Sequence, residues 1–133
     1  SGLFIEIKEP ETTSNIIKLL RRRGLPEFVA LVSFHDEALI AARRMEPSIV
    51  TGLIYSRPPG RIIDAKKIGA KIVLPRYPLA TEKAVSLAHR LGLKVAVWTV
   101  NDPSIAEKMV ERGVDAIATD YPDRLVELRE SYE

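Results

Sequence analysis

Short apolar runs alternate along the chain with segments whose apolar residues recur at helical spacing. The runs are rich in β-branched and aromatic residues, which is typical of strands buried on both faces. The segments between them have the period of amphipathic helices. The pattern therefore predicts six strands, each followed by a helix. The predicted strands are Leu3–Lys8, Phe28–Phe34, Ile49–Tyr55, Ile72–Leu74, Lys94–Val100 and Asp115–Ala118.

A glycine separates four of the predicted helices from the strand that follows. Gly24, Gly69, Gly92 and Gly113 each come after a charged helix end and before an apolar run. Glycine at this position favours a left-handed helix terminator, because it has no Cβ to clash. The repeating unit of strand, loop, helix, glycine and strand requires right-handed crossovers, and so predicts a parallel sheet.

The fold class predicted is α/β, a partial TIM (β/α) barrel of about six βα units in a single domain over residues 1–133. A closed barrel has eight strands in about 250 residues, so this chain is too short to make one. No G-x-G-x-x-G motif follows a strand, which argues against a dinucleotide-binding sheet. An unrelated doubly wound ligand-binding domain stays open, and a strand order that does not follow the chain would identify it.

Composition narrows the classes of partner. Twenty basic and eighteen acidic residues are interspersed, so we expect no nucleic acid partner. The one basic run, Arg21 to Arg23, ends a predicted helix, where cations complement the helix dipole. The chain has no cysteine, which excludes disulfides and thiolate metal sites. No apolar run reaches the length of a transmembrane segment, and a cytoplasmic location is the default expectation.

Candidate chemistry lies where the strands end, because parallel α/β folds place their working residues at the carboxyl ends of strands. Alternation puts Phe4, Glu6 and Lys8 on one face of the first strand. A buried carboxylate needs a cation, which Ca²⁺, Mg²⁺ or Lys8 itself could supply, so a metal site and a plain Glu–Lys pair both remain open. Trp98, near the end of the fifth strand, is either core or a pocket wall.

The two histidines give no catalytic pattern. His89 falls in the last turn of an outer helix, where a solvated or dipole-complementing role is expected. His35 follows a strand and is better placed, but it stands alone between Phe34 and Asp36. No Ser–His–Asp spacing, phosphate-binding loop or histidine cluster is present. We therefore assign no catalytic residue within this chain.

Four motifs resemble, in order and spacing, the C-terminal portion of glycerophosphodiester phosphodiesterases. They are IEIK at 5–8, SF at 33–34, WTVND at 98–102 and GVDAIATDYPDRL at 113–125. The resemblance implies a TIM-barrel enzyme that hydrolyses glycerophosphodiesters to an alcohol and glycerol 3-phosphate with a divalent cation, Ca²⁺ or Mg²⁺. It implies that Glu6 is a metal ligand, that Lys8 lies near the phosphate, and that Phe34 and Trp98 form the apolar wall beside the glycerol.

The chain also departs from that family pattern. The family's N-terminal portion carries a His-Arg-Gly strand, a Glu-x-Asp strand and a His-Asp strand end, which supply two catalytic histidines and two of three metal carboxylates. None of these motifs is present here, and neither His35 nor His89 has a matching context. One ligand of three should bind metal weakly, and this chain alone should not turn over substrate.

A partial barrel also raises a folding question. Half a parallel barrel leaves two strand edges and one apolar sheet face to be covered. A missing N-terminal half, self-association into a homo-oligomer, or a rearranged open sheet would each cover them. The function predicted is thus a phosphodiesterase that is inactive until completed. The alternative is a naturally shortened, non-catalytic barrel fragment that acts as a self-associating binding or structural module.

Overall fold

The sheet has the predicted parallel arrangement. The computed structural model describes residues 2–24 and 28–118, and its six strands form one curled half-barrel in which strand order follows the chain. This order confirms the partial barrel and rules out the doubly wound reading. The strands are β1 (Gly2–Glu6), β2 (Phe28–Ser33), β3 (Val50–Tyr55), β4 (Ile72–Pro75), β5 (Lys94–Val97) and β6 (Ala116–Ile117).

The helices cover the outer face of the sheet, and their bounds agree closely with the sequence pattern. Thr81 and Asp102 cap α4 and α5 by accepting backbone N–H bonds from Ala84 and Ser104. No described helix has the length and apolar character needed to cross a membrane. The helices are α1 (Thr13–Arg23), α2 (Asp36–Met45), α3 (Ile62–Lys67), α4 (Glu82–Arg90) and α5 (Pro103–Glu111), with short 3-10 helices at Pro10–Thr12 and Tyr77–Leu79.

One predicted strand end differs from the structure, and one predicted helix lies outside it. The fifth strand ends at Val97 and not at Val100 as predicted, because the Trp98 carbonyl accepts from Tyr77 N–H and leaves the regular ladder. The helix predicted to follow the sixth strand lies outside the described residues.

The inner face of the sheet forms its own apolar cluster, separate from the residues under the helices. Side chains on this face alternate with outward ones, as strand geometry requires. The expectation of an uncovered inner face is wrong for these residues, because the curl of the sheet folds them onto one another and each buried member of the cluster is at most 8 % exposed. Inward members include Phe4, Ala30, Val32, Ile54, Leu74 and Ala96.

The strands begin at one end of the half-barrel, which we call the base. There, four of the five described helices, α1 to α4, are linked to the next repeat. A basic or histidine side chain near a helix end reaches an acceptor 24 to 26 residues further along the chain. Three of these links place a cation on carbonyls at the next helix end, which also favours the helix dipole. The links are Arg21 to Met45 O, Arg43 to Ile68 O (3.5 Å), Lys66 to Leu91 O (2.9 Å) and His89 to the Asp115 carboxylate (2.8 Å).

Candidate active-site mouth

The carboxyl ends of the strands meet at the opposite end, which we call the mouth. The predicted site residues come from three strands: Glu6 ends β1, Phe34 follows β2, and Trp98 follows β5. Lys8 lies two residues beyond the end of β1. The topology of a parallel half-barrel therefore brings all four predicted positions to one end of the molecule.

Glu6 faces the interior of the half-barrel. Its β-ladder partner is Val32, and Phe4, two residues earlier on the same face, belongs to the inner cluster. Ile5 and Ile7 pack instead against the outer cluster beneath the helices. Glu6 is partly buried. The carboxylate thus shares the inner face with Trp98, which packs against the same cluster.

Phe34 and Trp98 are in direct contact across the mouth. Their ring centroids are 6.1 Å apart and the planes are nearly perpendicular at 89°, an edge-to-face arrangement that aromatic pairs favour. Trp98 Nε1 donates a 2.8 Å hydrogen bond to Leu74 O. Phe34 is 37 % exposed and Trp98 is partly buried. The indole is therefore held by its bond to Leu74 O while the Phe34 ring is partly exposed to solvent, as expected for the wall of a pocket.

The Ser33 hydroxyl connects the first strand to the loop that carries Phe34. It is fully buried, donates a 2.6 Å bond to Ile7 O, and accepts a 3.1 Å bond from His35 N–H. Ile7 N–H also donates to Val32 O at 2.8 Å. Both backbone polar groups of Ile7, the residue between Glu6 and Lys8, are therefore held by β2.

An ion pair that the sequence did not indicate braces two mouth loops. Arg61 Nη2 lies 2.8 Å from Asp36 Oδ2, and Arg61 Nε lies 3.0 Å from Asp64 Oδ2. The hydrogen bond from Arg61 lowers the pKa of the Asp36 carboxyl, and the same bond raises the pKa of the guanidinium. Because Asp36 opens α2 two residues after Phe34, this ion pair ties the segment that carries Phe34 to the start of α3.

The histidines are not gathered at the site. His89 lies at the base, where Nε2 is 2.8 Å from Asp115 Oδ2, an oxygen that also accepts from Val95 N–H. The ring of His35 is about half exposed, and its Nδ1 lies 3.7 Å from the Glu37 carboxylate. The structure thus gives His89 a hydrogen-bond partner beyond the solvated role expected for it. The assignment of no catalytic residue stays a prediction.

A metal centre does not form from the described residues alone. In residues 2–24 and 28–118, no three His, Cys, Asp or Glu side chains lie close enough together to hold an ion. Hard cations such as Ca²⁺ and Mg²⁺ take six or more oxygen ligands, several of them carboxylates or waters. One inward carboxylate, Glu6, does not meet that requirement.

Comparisons with known proteins identify the family of this chain. A model of the glycerophosphoryl diester phosphodiesterase family matches residues 5–124. A glycerophosphodiester phosphodiesterase of Caldanaerobacter subterraneus is 30% identical over 132 residues, and one of Bacillus subtilis is 25% identical over 147 residues. The alignments cover 93% and 99% of this chain but 54% and 50% of the relatives. The chain thus spans about half the length of the curated relatives it matches.

Solved structures give the same picture. A phosphodiesterase of Oleispira antarctica, in complex with the product sn-glycerol-3-phosphate, superposes with a TM-score of 0.79 at 27% identity, over 95% of this chain and 54% of that one. A glycerophosphodiester phosphodiesterase of Parabacteroides distasonis gives 0.75 at 25% identity, over 97% and 57%. The half-barrel, the strand-end motifs and the family match over residues 5–124 lead to one conclusion: the chain belongs to the glycerophosphoryl diester phosphodiesterase family.

Proposed function

We propose that this chain is the C-terminal portion of a metal-dependent glycerophosphodiester phosphodiesterase that is active only when an N-terminal portion completes the barrel. Its reaction is the hydrolysis of glycerophosphodiesters to an alcohol and glycerol 3-phosphate. The observation that supports it is the shared mouth, where Glu6 and the ring pair of Phe34 and Trp98 face the same interior. Polar and apolar groups suited to the two parts of one substrate thus lie at the same end of the half-barrel.

Each mouth residue has a chemical task in this proposal. Glu6 supplies one oxygen ligand to Ca²⁺ or Mg²⁺, and the remaining carboxylates come from the completing portion. Lys8, exposed beyond β1, lies beside the phosphodiester as a point charge. The ring pair excludes water from the apolar face of the glycerol carbons. Proton transfer during hydrolysis is left to histidines outside this chain.

The sheet itself explains why completion is needed. β1 and β6 are the outer strands of the six-stranded sheet, and a closed barrel has eight. A segment with two parallel strands would pair with both edges and would close the mouth around Glu6. Closure would also remove water from the site, which strengthens metal and phosphate interactions.

The test is reconstitution with an N-terminal portion taken from a family relative. The chain is mixed with, or joined to, a segment that carries the His-Arg-Gly, Glu-x-Asp and His-Asp motifs, and release of glycerol 3-phosphate is measured with added Ca²⁺ or Mg²⁺. We expect turnover by the complex and none by either piece. A well-assembled complex that releases no glycerol 3-phosphate under these conditions would reject the proposal.

The outer strands also support a second candidate function. Among the described residues, β1 and β6 each have a strand neighbour on one side only, and such edges promote pairing with another copy, so a naturally shortened chain would act as a self-associating binding module. The mass of the species in solution, together with the identity of each polypeptide in it, separates the two. A stable homo-oligomer without turnover favours the module, and a mixed complex with turnover favours the enzyme.

A further inference from the structure

Arg76 is a second cation at the mouth, in addition to Lys8. It directly follows β4, and its backbone forms a parallel bridge with Trp98. Partners in a parallel ladder point to the same face of the sheet, and Leu74, two residues before Arg76, belongs to the inner cluster. Arg76 therefore stands on the inner face, beside the indole.

The backbone of Arg76 is held in place while its side chain is exposed. Its N–H donates to Tyr55 O, and its carbonyl accepts from Leu79 N–H, both at 2.9 Å. No ion pair joins Arg76 to a carboxylate within the described ranges. A guanidinium on a fixed backbone, turned to the mouth, is suited to bind an anion brought by a ligand.

The ring pair divides the mouth into two halves. Phe34 follows β2 and Trp98 follows β5, so their contact spans the ends of β3 and β4, which lie between those strands in the sheet. Arg76 is on the β4 side of the rings. Glu6, at the end of β1, is on the other side, and Lys8 follows it two residues beyond that strand. The two cations therefore face different parts of any ligand that rests on the rings.

We infer that Arg76 binds a second negatively charged group of the substrate, so that the enzyme prefers glycerophosphodiesters whose ring-bound glycerol carries a further phosphate. The inference rests on the proposed function. With the scissile phosphate on the Glu6 side and the glycerol carbons against the rings, the far side of the glycerol meets Arg76. A guanidinium can bind two phosphate oxygens at once, which makes phosphate the best match for this position.

A matched pair of substrates tests this preference in the completed enzyme. Glycerophosphoglycerol has one phosphate, and bis(glycerophospho)glycerol adds one glycerol phosphate unit. We expect a higher kcat/KM for the two-phosphate substrate. Arg76→Gln should lower the ratio of the two kcat/KM values about ten-fold, the size expected for one charge-assisted hydrogen bond. Arg76→Glu should lower it further, because it adds repulsion.

Lys71 provides the charge-matched control. It immediately precedes the same strand, at the base, and is also exposed. Lys71→Glu makes the same change in net charge as Arg76→Glu but far from the mouth. We expect it to leave the ratio of kcat/KM values at the parent level.

The outcomes separate this inference from the proposed function. If the parent complex hydrolyses neither substrate, the proposed function fails and the inference fails with it. If the parent turns over both, an unchanged ratio in Arg76→Gln overturns the inference alone. An equal loss on both substrates also overturns it, because Arg76 would then serve the scissile phosphate or the fold. An equal response to Lys71→Glu would show only a general charge effect and would overturn it as well.

Discussion

The base and the mouth of the half-barrel use the same repeat in opposite ways. At the base, successive repeats place a cation in the same role, as Arg43 and Lys66 do when each reaches the carbonyl at the next helix end. At the mouth, the equivalent strand ends carry a carboxylate in Glu6, a guanidinium in Arg76 and an indole in Trp98. Regular chemistry thus supports the fold at one end, and varied chemistry forms the candidate site at the other.

Substitutions at the base and at the mouth test this contrast. The largest effect is expected at the mouth, on enzymatic activity. If Glu6 is a metal ligand as proposed, Glu6→Gln in the completed enzyme removes the negative charge of that ligand, and we expect kcat/KM to fall by about 1,000-fold or more. The free energy of unfolding should change little, because the substitution conserves shape. Metal titration and chemical denaturation of the same preparation check both parts. Unchanged rates would remove Glu6 from the site.

The second largest effect is expected at the base, on the free energy of unfolding. Gly69 has a φ of 79°, and an added Cβ would overlap the far end of the Arg43 side chain, which must turn away and give up its bond to Ile68 O. We expect Gly69→Ala to lose about 1.5 kcal/mol in unfolding free energy, about 1 kcal/mol of it from backbone strain, with KM retained.

Gly92 is the matched control for that clash. It has the same φ of 79°, but an added Cβ would have no neighbour within 4 Å. Gly92→Ala should therefore show only the backbone cost, about 1 kcal/mol. Equal losses in the two variants, measured by chemical denaturation, would show that Arg43 contributes nothing at this position.

A smaller effect is expected from removing one ring of the pair. Trp98→Ala takes away the edge-to-face contact with Phe34 and the donor to Leu74 O, so KM should rise about ten-fold with a modest loss of stability. Steady-state kinetics and thermal unfolding of the completed enzyme separate the two. Collapse of the fold without a selective rise in KM would favour the core reading of Trp98.

The smallest effect concerns the brace beneath the ring pair. Asp36→Asn should cost about 1 kcal/mol at pH 7, because the ion pair with Arg61 is one-third exposed. The pKa of Asp36 lies below its ordinary 3.8, so its contribution is present above that pH and is lost as the pH falls through the folded-state pKa.

Denaturation at several pH values tests that dependence. The difference between Asp36→Asn and the parent should be full at neutral pH and should vanish under strongly acidic conditions. Asp64→Asn is the control, since Asp64 pairs with the same Arg61 within one helix turn and does not link two loops. A pH-independent difference for Asp36→Asn would show that the loss does not come from the carboxylate charge.

The positions of the glycines and the alternation of apolar residues were sufficient to predict the order of strands and helices in this fold. The four glycines set apart the repeats, and each has positive φ in the structure. Alternation in β1 correctly placed Phe4 inward and Ile5 outward, because one face of a strand must match one face of the sheet. The fifth strand was predicted to be longer than it is, because the Trp98 carbonyl bonds to Tyr77 N–H although the residues around it have high strand propensity.

Contacts between distant residues were not predictable in the same way. Nothing near Arg61 in the sequence indicates Asp36 as its partner, since the pairing depends on the lateral distance between two loops. Ser33 was noted as a strand-end residue, but its bonds to Ile7 and His35 needed the register of β1 and β2. The roles of Glu6, Lys8, Phe34 and Trp98 came from resemblance, and pattern alone gave only their shared end of the sheet.

The buried Ser33 hydroxyl has a consequence for assembly. Because it fastens Ile7 O to the second strand, the height of Glu6 relative to the aromatic loop is fixed before any other polypeptide arrives. In the proposed complex, a strand that pairs with the outer edge of β1 would therefore meet a Glu6 whose position this chain has already ordered.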